Sequence, residues 1–328
     1  EYWQKMAPYK ADFSKINIPI LTTTGFFDAD QRGALYYFKE HYKYNKKAQH
    51  YLVIGPYDHS MGQNFAKNEV YGYKMDSVAK INITDLSYDW FDYILKGARK
   101  PDLLKNKVNI QVMGTNTWSH FSSIKKATNK KLKFYLTKNS KTSFKKPKTK
   151  EYYNQTVDLK KREYNKKFYS TGRDSLSISP HANILESEIL TKDIIIDGSF
   201  TGNVKASINK KDFDISIDLL EIDPNGKILE LSDYVGRASY SKDQKVRKLL
   251  IPNAIETIPI SNSSYVARKI KKGSKLVIIY GVKFNKLWQV NYGTGKDVSD
   301  ESMAEDANEP LIIKWFNNSF ISIPILEQ

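Results

Sequence analysis

The sequence of 328 residues contains no cysteine, which excludes disulfide bonds and thiolate metal sites but leaves the redox compartment open. No hydrophobic run approaches the roughly 18 to 20 residues that span a bilayer, so no transmembrane helix is expected. The first residues also lack the basic and apolar regions of a signal peptide. Because the chain opens on Glu1 and not on Met, we expect further sequence upstream, and both a cytoplasmic and an exported location stay open.

Arginine is scarce, since only 7 of the 52 basic residues are Arg. The net charge of +16 and the pI near 9.5 would suit a nucleic-acid partner. The lysines, however, are scattered among Asn, Ile and Tyr and form no recognisable nucleic-acid-binding element. A solvated basic surface is therefore the better interpretation, and no nucleic-acid partner is predicted.

Motifs for metals and phosphates are also missing. Four histidines show no i, i+4 pairing and no accompanying cluster of acidic residues: His41, His50, His120 and His181. Neither Gly-x-Gly-x-x-Gly nor Gly-x-x-x-x-Gly-Lys occurs. We therefore expect no metal site and no cofactor.

The segment from residue 18 to residue 60 is the most informative part of the chain. Residues 18–24 are apolar and β-branched and end at Gly25, and the apolar residues 51–54 end at Gly55, which predicts two buried strands. Residues 30–44 between them have the apolar stripe of a helix, so the segment predicts a parallel βαβ unit. Reactive groups of open α/β sheets lie past the carboxyl ends of the strands, where Asp28 and His59 fall.

Taken as a whole, the sequence predicts an α/β region at residues 1–105 followed by a β-sandwich of jelly-roll type at residues 106–328. A second helix is expected over residues 83–95 with Gly97 as its C-terminal stop, and the periodicity changes from 3.6 to 2 after residues 96–107. A hairpin turn is expected at residues 223–226, and the polar residues 138–169 are interpreted as a surface loop. Strands are predicted at 108–113, 132–136, 194–198, 204–208, 213–220, 228–231, 276–280 and 311–316.

Several motifs, in this order and spacing, resemble a known family. They are Gly-Phe-Phe-Asp at 25–28, Gly-Pro-Tyr-Asp-His at 55–59, Val-Met-Gly-Thr-Asn-Thr-Trp at 112–118, Asp-Pro-Asn-Gly at 223–226, Gly-Arg-Ala at 236–238, Lys-Gly-Ser-Lys-Leu at 272–276 and Asn-Tyr-Gly-Thr-Gly at 291–295. The sequence is similar to the C-terminal part of the family that groups X-prolyl dipeptidyl peptidases, the cocaine esterase, α-amino-acid ester hydrolases and glutaryl-cephalosporin acylases. These proteins are serine hydrolases with an α/β-hydrolase domain, an inserted helical cap and a C-terminal jelly roll.

The resemblance implies a Ser-Asp-His triad acting on a small acyl ester, amide or peptide substrate. Asp28 would be the triad carboxylate, and His59 would be the general base. The nucleophile is missing, because no Gly-x-Ser-x-Gly occurs and the nearest match, residues 198–202, has Phe200 at the serine position. The serine would lie in an upstream segment of the same protein, so the chain alone should be inactive.

Each assignment has an alternative. Asp28 could instead cap the following helix, His59 could be a loop histidine bonded to backbone, and Asp30 is either a contact for a substrate ammonium group or a solvated acid at the helix start. Asp58 is left out of the site, because neighbouring backbone positions do not ensure side-chain contact. The alternative function is a non-catalytic jelly-roll module that binds carbohydrate or protein. Homo-oligomerisation is left open.

Overall fold

The structure, a computed structural model, describes residues 6–137, 144–161, 182–283 and 289–326. The α-helices in these ranges are α1 (Gln31–Tyr44), α2 (Ile83–Lys96) and α3 (Met303–Asp306). Short 3₁₀ turns lie at Lys10–Lys15, Ser77–Ala79, Ile124–Lys126, Ala238–Tyr240 and Val298–Asp300. In the described ranges, no helix has the length and apolarity needed to cross a membrane.

The strands make up most of the regular structure. In chain order they are β1 (Ile20–Phe27), β2 (His50–Asp58), β3 (Glu69–Val70), β4 (Tyr73–Lys74), β5 (Val108–Val112), β6 (Thr117–Phe121), β7 (Lys130–Tyr135), β8 (Tyr152–Val157), β9 (Asn183–Glu186), β10 (Ile194–Gly198), β11 (Thr201–Ile208), β12 (Asp214–Ile222), β13 (Ile228–Arg237), β14 (Glu256–Ile260), β15 (Val266–Ile270), β16 (Lys275–Val282), β17 (Leu311–Phe316) and β18 (Phe320–Leu326).

Both predicted helices are present and end where local signals place their ends. Helix α1 buries Leu35, Phe38 and His41 on one stripe, as the 3.6-residue period requires. Helix α2 begins where the Asn82 side chain accepts hydrogen bonds from the amides of the first turn, and it ends at Gly97, whose φ of +71° is the left-handed conformation that glycine adopts readily.

The first sheet has the strand order β1-β2-β5-β6. Strands β1, β2 and β5 are parallel, and β6 pairs antiparallel with β5. The sequence assigned residues from 106 onward to the sandwich, but β5 and β6 complete this first sheet instead. Every residue of β5 is buried, and a strand buried on both faces does not reveal from its sequence which sheet it joins.

The later strands form a β-sandwich. One sheet of eight strands runs β15-β10-β18-β11-β17-β8, with β14 beside β11 and β7 beside β18, and a second sheet runs β13-β12-β16-β9. Trp315 of β17 packs edge-on against Tyr280 of β16, with ring centroids 5.4 Å apart. Arg268 of β15 donates to Glu221 of β12 at 2.9 Å. The two sheets therefore share one apolar core with a buried ion pair across it.

Two local predictions in this region had different outcomes. The hairpin turn at 223–226 is confirmed, because the Asp223 carboxylate accepts from two turn amides and Gly226 has a φ of +81°. The interpretation of residues 138–169 as a loop is wrong for β8, which pairs antiparallel with β17. The exposed residues of β8 alternate mostly with half-buried ones at the edge of the sheet, so composition alone suggested a loop. Residues 138–143 and 162–169 of that segment lie outside the described residues.

The first sheet is bonded directly to the sandwich. The amide of Met113, just after β5, donates to the carbonyl of Ala267 at 3.0 Å, and its carbonyl accepts from the amide of Lys269 at 2.9 Å. Hydrogen bonding therefore continues from the end of β5 to β15, which joins the first sheet to the eight-stranded sheet of the sandwich. This junction places the sandwich beside α1.

Candidate active site

Asp28 and His59 leave neighbouring strands at the same edge of the first sheet. Strands β1 and β2 pair in register up to Gly25 and Gly55, after which the register shifts before Phe27 pairs with Asp58. Both strands therefore continue past the glycines at which the sequence analysis ended them. A Cβ on Gly25 would lie 1.8 Å from the carbonyl oxygen of Tyr57, so glycine is required here for close approach of the two backbones.

The carboxylate of Asp28 is held by three donors. Thr24 Oγ1 donates to Oδ2 at 3.0 Å, and the amide of Asp30 donates to Oδ1 at 3.0 Å. His59 Nδ1 lies 3.1 Å from the same Oδ1. The side chain of Asp28 is only 9% exposed. The alternative of Asp28 as the helix cap is wrong, because the N-cap of α1 is Asp30 and Asp28 bonds the amide of that residue instead of an amide in the first turn.

The tautomer of His59 follows from these contacts. A carboxylate only accepts, so Nδ1 carries the proton and Nε2 of the neutral ring carries the lone pair. The Gln63 amide donates to Nε2 at 3.1 Å, and among the described residues it is the hydrogen-bond partner of that nitrogen. The imidazole is 61% exposed. Hydrogen bonding to Asp28 and the negative charges of Asp28, Asp30 and Asp58 raise the pKa of His59.

The two other carboxylates near His59 differ in orientation. Asp30 Oδ2 lies 3.6 Å from His59 Nδ1, and its side chain is 79% exposed at the cleft. Asp58 turns away, because its Oδ1 accepts from the amide of Met61 at 2.8 Å. Asp30 therefore faces the site, whereas Asp58 holds the loop that carries His59.

Asp28, Asp30 and His59 also form a set of possible metal ligands. One ligand atom from each lies within 4.8 Å of the others, a grouping that the sequence analysis did not anticipate. The atoms Asp28 Oδ1 and His59 Nδ1 already bond each other, so a cation would have to replace that contact. Of the other histidines, His120 donates through Nδ1 to Asn109 Oδ1 at 2.7 Å, and His181 lies outside the described residues.

Three further residues support the site and were missed from the sequence. Thr24 bonds Asp28, Gln63 bonds His59, and Gln31 ties the start of α1 to Gly25 at 2.9 Å. The signal available in the sequence was a spacing of four residues, which separates Thr24 from Asp28 and His59 from Gln63. Gln31 had none, since its other contacts lie in the sandwich.

An open cleft of about 440 Å³ lies at the site. Asp28, Asp30, His59 and Gln63 surround it, and Gly33 of α1 forms part of its wall. The arrangement can orient an imidazole, accept a proton at Nε2 and stabilise the resulting imidazolium.

A protein-family model described as the X-Pro dipeptidyl-peptidase C-terminal non-catalytic domain matches residues 104–310. The match covers more than half of the chain and begins after the βαβ unit, so Asp28 and His59 lie outside it. No curated protein matches the sequence significantly.

Solved structures share the fold over nearly the whole chain. An aminopeptidase from the marine sediment archaeon Thaumarchaeota archaeon superposes with a TM-score of 0.79 at 16% identity, over 100% of this chain and 58% of that one. An α-amino acid ester hydrolase gives 0.77 at 18% identity, over 99% and 58%. A CocE/NonD family hydrolase from Staphylococcus aureus gives 0.64 at 15% identity, over 96% and 55%.

The chain thus spans between 55 and 58% of the length of these structures. At such identities the superpositions establish the fold alone, and the match to the family model establishes to which family the chain belongs. The chain belongs to the X-Pro dipeptidyl-peptidase C-terminal domain family and corresponds to the C-terminal part of this group of hydrolases.

Proposed function

We propose that the chain supplies the acid and the base of a Ser-Asp-His triad in a hydrolase that cleaves acyl ester or amide bonds. The observation that carries the proposal is the 3.1 Å contact between Asp28 Oδ1 and His59 Nδ1 at an open cleft that both residues line. The serine comes from an upstream segment of the same protein, because the sequence has no Gly-x-Ser-x-Gly elbow.

In this reaction Asp28 keeps the proton on Nδ1 and stabilises the imidazolium. Nε2 takes the proton of the serine hydroxyl as it attacks the substrate carbonyl, then returns that proton to the leaving group. The Gln63 amide now donates to the same lone pair, so it must move aside when the hydroxyl binds. Asp30 supplies a second negative charge, which suits a substrate with an α-ammonium group, as in an X-prolyl or α-amino-acyl compound.

The domain assignment forms part of the proposal. Residues 1–105, together with β5 and β6, belong to the C-terminal part of an α/β-hydrolase domain, and the strands from β7 onward form the jelly roll. The parallel β1-α1-β2 unit and the order of acid before histidine support this division.

The decisive experiment uses the protein with its upstream segment restored. We expect Asp28→Asn and His59→Ala each to lower kcat at least a hundredfold while circular dichroism stays unchanged. Asp58→Asn is the matched control, because its carboxylate bonds the loop and does not bond the imidazole. Unaltered kcat in either triad variant contradicts the proposal, and turnover should survive EDTA.

A second candidate is a non-catalytic module that binds carbohydrate or protein. The family description of residues 104–310 as a non-catalytic domain favours it for the sandwich. A fluorophosphonate separates the two functions, because it should label one upstream serine in the full protein if the triad forms and none if the protein only binds.

A further inference from the structure

A second, larger cleft lies beside the Asp28–His59 cleft. It has a volume of about 710 Å³ and separates α1 from β13 and residues 261–263. Arg32, Tyr36 and Lys39 line it from α1 at the i, i+4, i+7 spacing of one helix face. Tyr234 and Arg237 line it from β13. We call it the α1–β13 cleft.

The two arginines of the α1–β13 cleft are held in place by carboxylates. Arg32 Nη2 donates to the carboxylate of Asp233 and, at 3.0 Å, to its carbonyl oxygen. Arg237 donates through Nε and Nη2 to the two carboxylate oxygens of Asp214, at 2.9 and 3.2 Å. Each guanidinium keeps further N–H groups available, but its charge is balanced.

Lys39 is different, because its ammonium group has no hydrogen-bond or ion-pair partner among the described residues. Lys39 is exposed to solvent, and desolvation by the surrounding residues lowers its pKa. The one acid in the lining, Glu40, is paired with Lys43 at 3.0 Å. The cleft therefore has an excess of one positive charge, together with the hydroxyls of serines and tyrosines. One uncompensated cation among neutral donors suits a singly charged carboxylate.

Gly33 joins the two clefts, since it lines both of them. A Cβ at this position would meet no atom within 4 Å, so packing among the described residues does not require glycine. Glycine inside a helix costs about 1 kcal/mol relative to alanine. Its effect is to leave the helix surface open where the two clefts meet.

We infer that the α1–β13 cleft binds the carboxylate of a substrate whose scissile bond lies at His59. The placement of the scissile bond at His59 rests on the proposed function. The placement of the carboxylate rests on the positions of Lys39, the two arginines and Gly33. At 1.5 Å per residue, Lys39 lies about 9 Å along the helix axis from Gly33. An extended chain covers about 3.3 Å per residue, so at least about three ligand residues span the distance from Gly33 to Lys39, and the matching ligand is a short peptide whose free C-terminal carboxylate lies three or more residues beyond the scissile bond.

The test measures binding to the 328-residue chain itself, so it needs no nucleophile and does not depend on the outcome of the hydrolysis experiment. The probes are N-acetyl-trialanine with a free carboxylate and the same peptide as its carboxamide, titrated calorimetrically at 0.15 M salt. We expect the acid to bind about fivefold more tightly than the amide. Equal affinities overturn the inference, as does tighter competition by inorganic phosphate than by acetate.

Variants locate the site. Lys39→Gln should abolish the preference for the acid, and Lys46→Gln, which removes an exposed lysine just after α1, should preserve it. Gly33→Leu should weaken binding of the acid peptide at least threefold while acetate binds as before. Gly33→Ala should raise the unfolding temperature, which distinguishes an effect of residue 33 on peptide binding from its effect on stability. A preference for the acid that survives Lys39→Gln contradicts the assignment.

Discussion

Gln31 is hydrogen-bonded to the backbone of Tyr265 at both ends of its carboxamide. Oε1 accepts from the amide of Tyr265 at 2.6 Å, and Nε2 donates to its carbonyl at 2.8 Å. Nε2 also donates to the carbonyl of Gly25 at 2.9 Å. Gln31 is fully buried and begins α1 directly after the Asp28 loop. One side chain thus connects the end of β1, the helix and the sandwich.

We expect Gln31→Leu to lower the free energy of unfolding by about 2 to 4 kcal/mol, because it removes the hydrogen bonds to the amide and the carbonyl of Tyr265 and leaves the Gly25 carbonyl with the Asp28 amide as its remaining loop donor. Urea unfolding measures the loss. Gln49→Leu, at an exposed position before β2, is the control and should change stability by less than about 1 kcal/mol. Similar losses in both variants would show that the hydrogen bonds between Gln31 and Tyr265 contribute little to stability.

Asp28→Asn should lower the pKa of His59. The hydrogen bond to the carboxylate is the largest cause of its raised value, and the amide cannot stabilise the imidazolium equally. Because the folded pKa is raised, the stabilisation from this pair is present below the unfolded value of 6.5 and is lost as pH rises through the folded pKa. NMR titration of the imidazole in the 328-residue chain measures the change. Asp58→Asn should move the pKa less, and equal shifts would indicate a general charge effect.

His50 should make the protein sensitive to acid. His41 Nε2 faces the carbonyl of Ile16 and must donate, so its Nδ1 accepts from His50 Nδ1 at 3.0 Å, and His50 Nε2 accepts from Thr22 at 2.7 Å. Burial, and then the neighbouring His41, lower the pKa of His50 to about 3. The unfolded chain therefore binds the proton first, and stability should fall as pH falls from 6.5 towards 3.

The measurement is urea unfolding of wild type and His50→Phe at pH 5 and pH 8. The variant loses hydrogen bonds and should be less stable at pH 8, but its stability should fall less between the two pH values. A steeper decline in His50→Phe than in wild type would contradict the lowered pKa of His50.

Asp197 should have the opposite effect on pH dependence. Its Oδ1 accepts from the Tyr265 hydroxyl at 2.5 Å, while Oδ2 is buried without a partner in the part of the chain that the structure describes. Burial raises the pKa of Asp197 to about 7, against an ordinary 3.8. The folded state binds the proton first between these values, so this group makes stability fall as pH rises from about 4 to about 7.

Asp197→Asn removes that titration. The stability of the variant relative to wild type should increase between pH 4 and pH 8 by up to about 4 kcal/mol. Unfolding at the two pH values in parallel measures the difference, and the pH 4 comparison serves as the internal control. A relative stability that is constant with pH would show that Asp197 stays ionised in the fold.

The sequence by itself determined the elements whose signals are local. The stripe of Leu35 and Phe38, the stop at Gly97 and the turn at Gly226 depend on near neighbours in the chain, and the structure has each of them. The proximity of Asp28 and His59 also followed, because consecutive parallel strands end at one edge. Their catalytic roles stay a prediction.

Only the tertiary structure decided the contacts between distant segments. The pairing of β5 with β2, the polar edge strand β8 and the clamp from Gln31 to Tyr265 join residues tens to hundreds of positions apart. Such pairings depend on register and on which surfaces meet, and periodicity carries information on neither. For the same reason the position of Lys39 in the α1–β13 cleft became visible only when β13 was placed opposite α1.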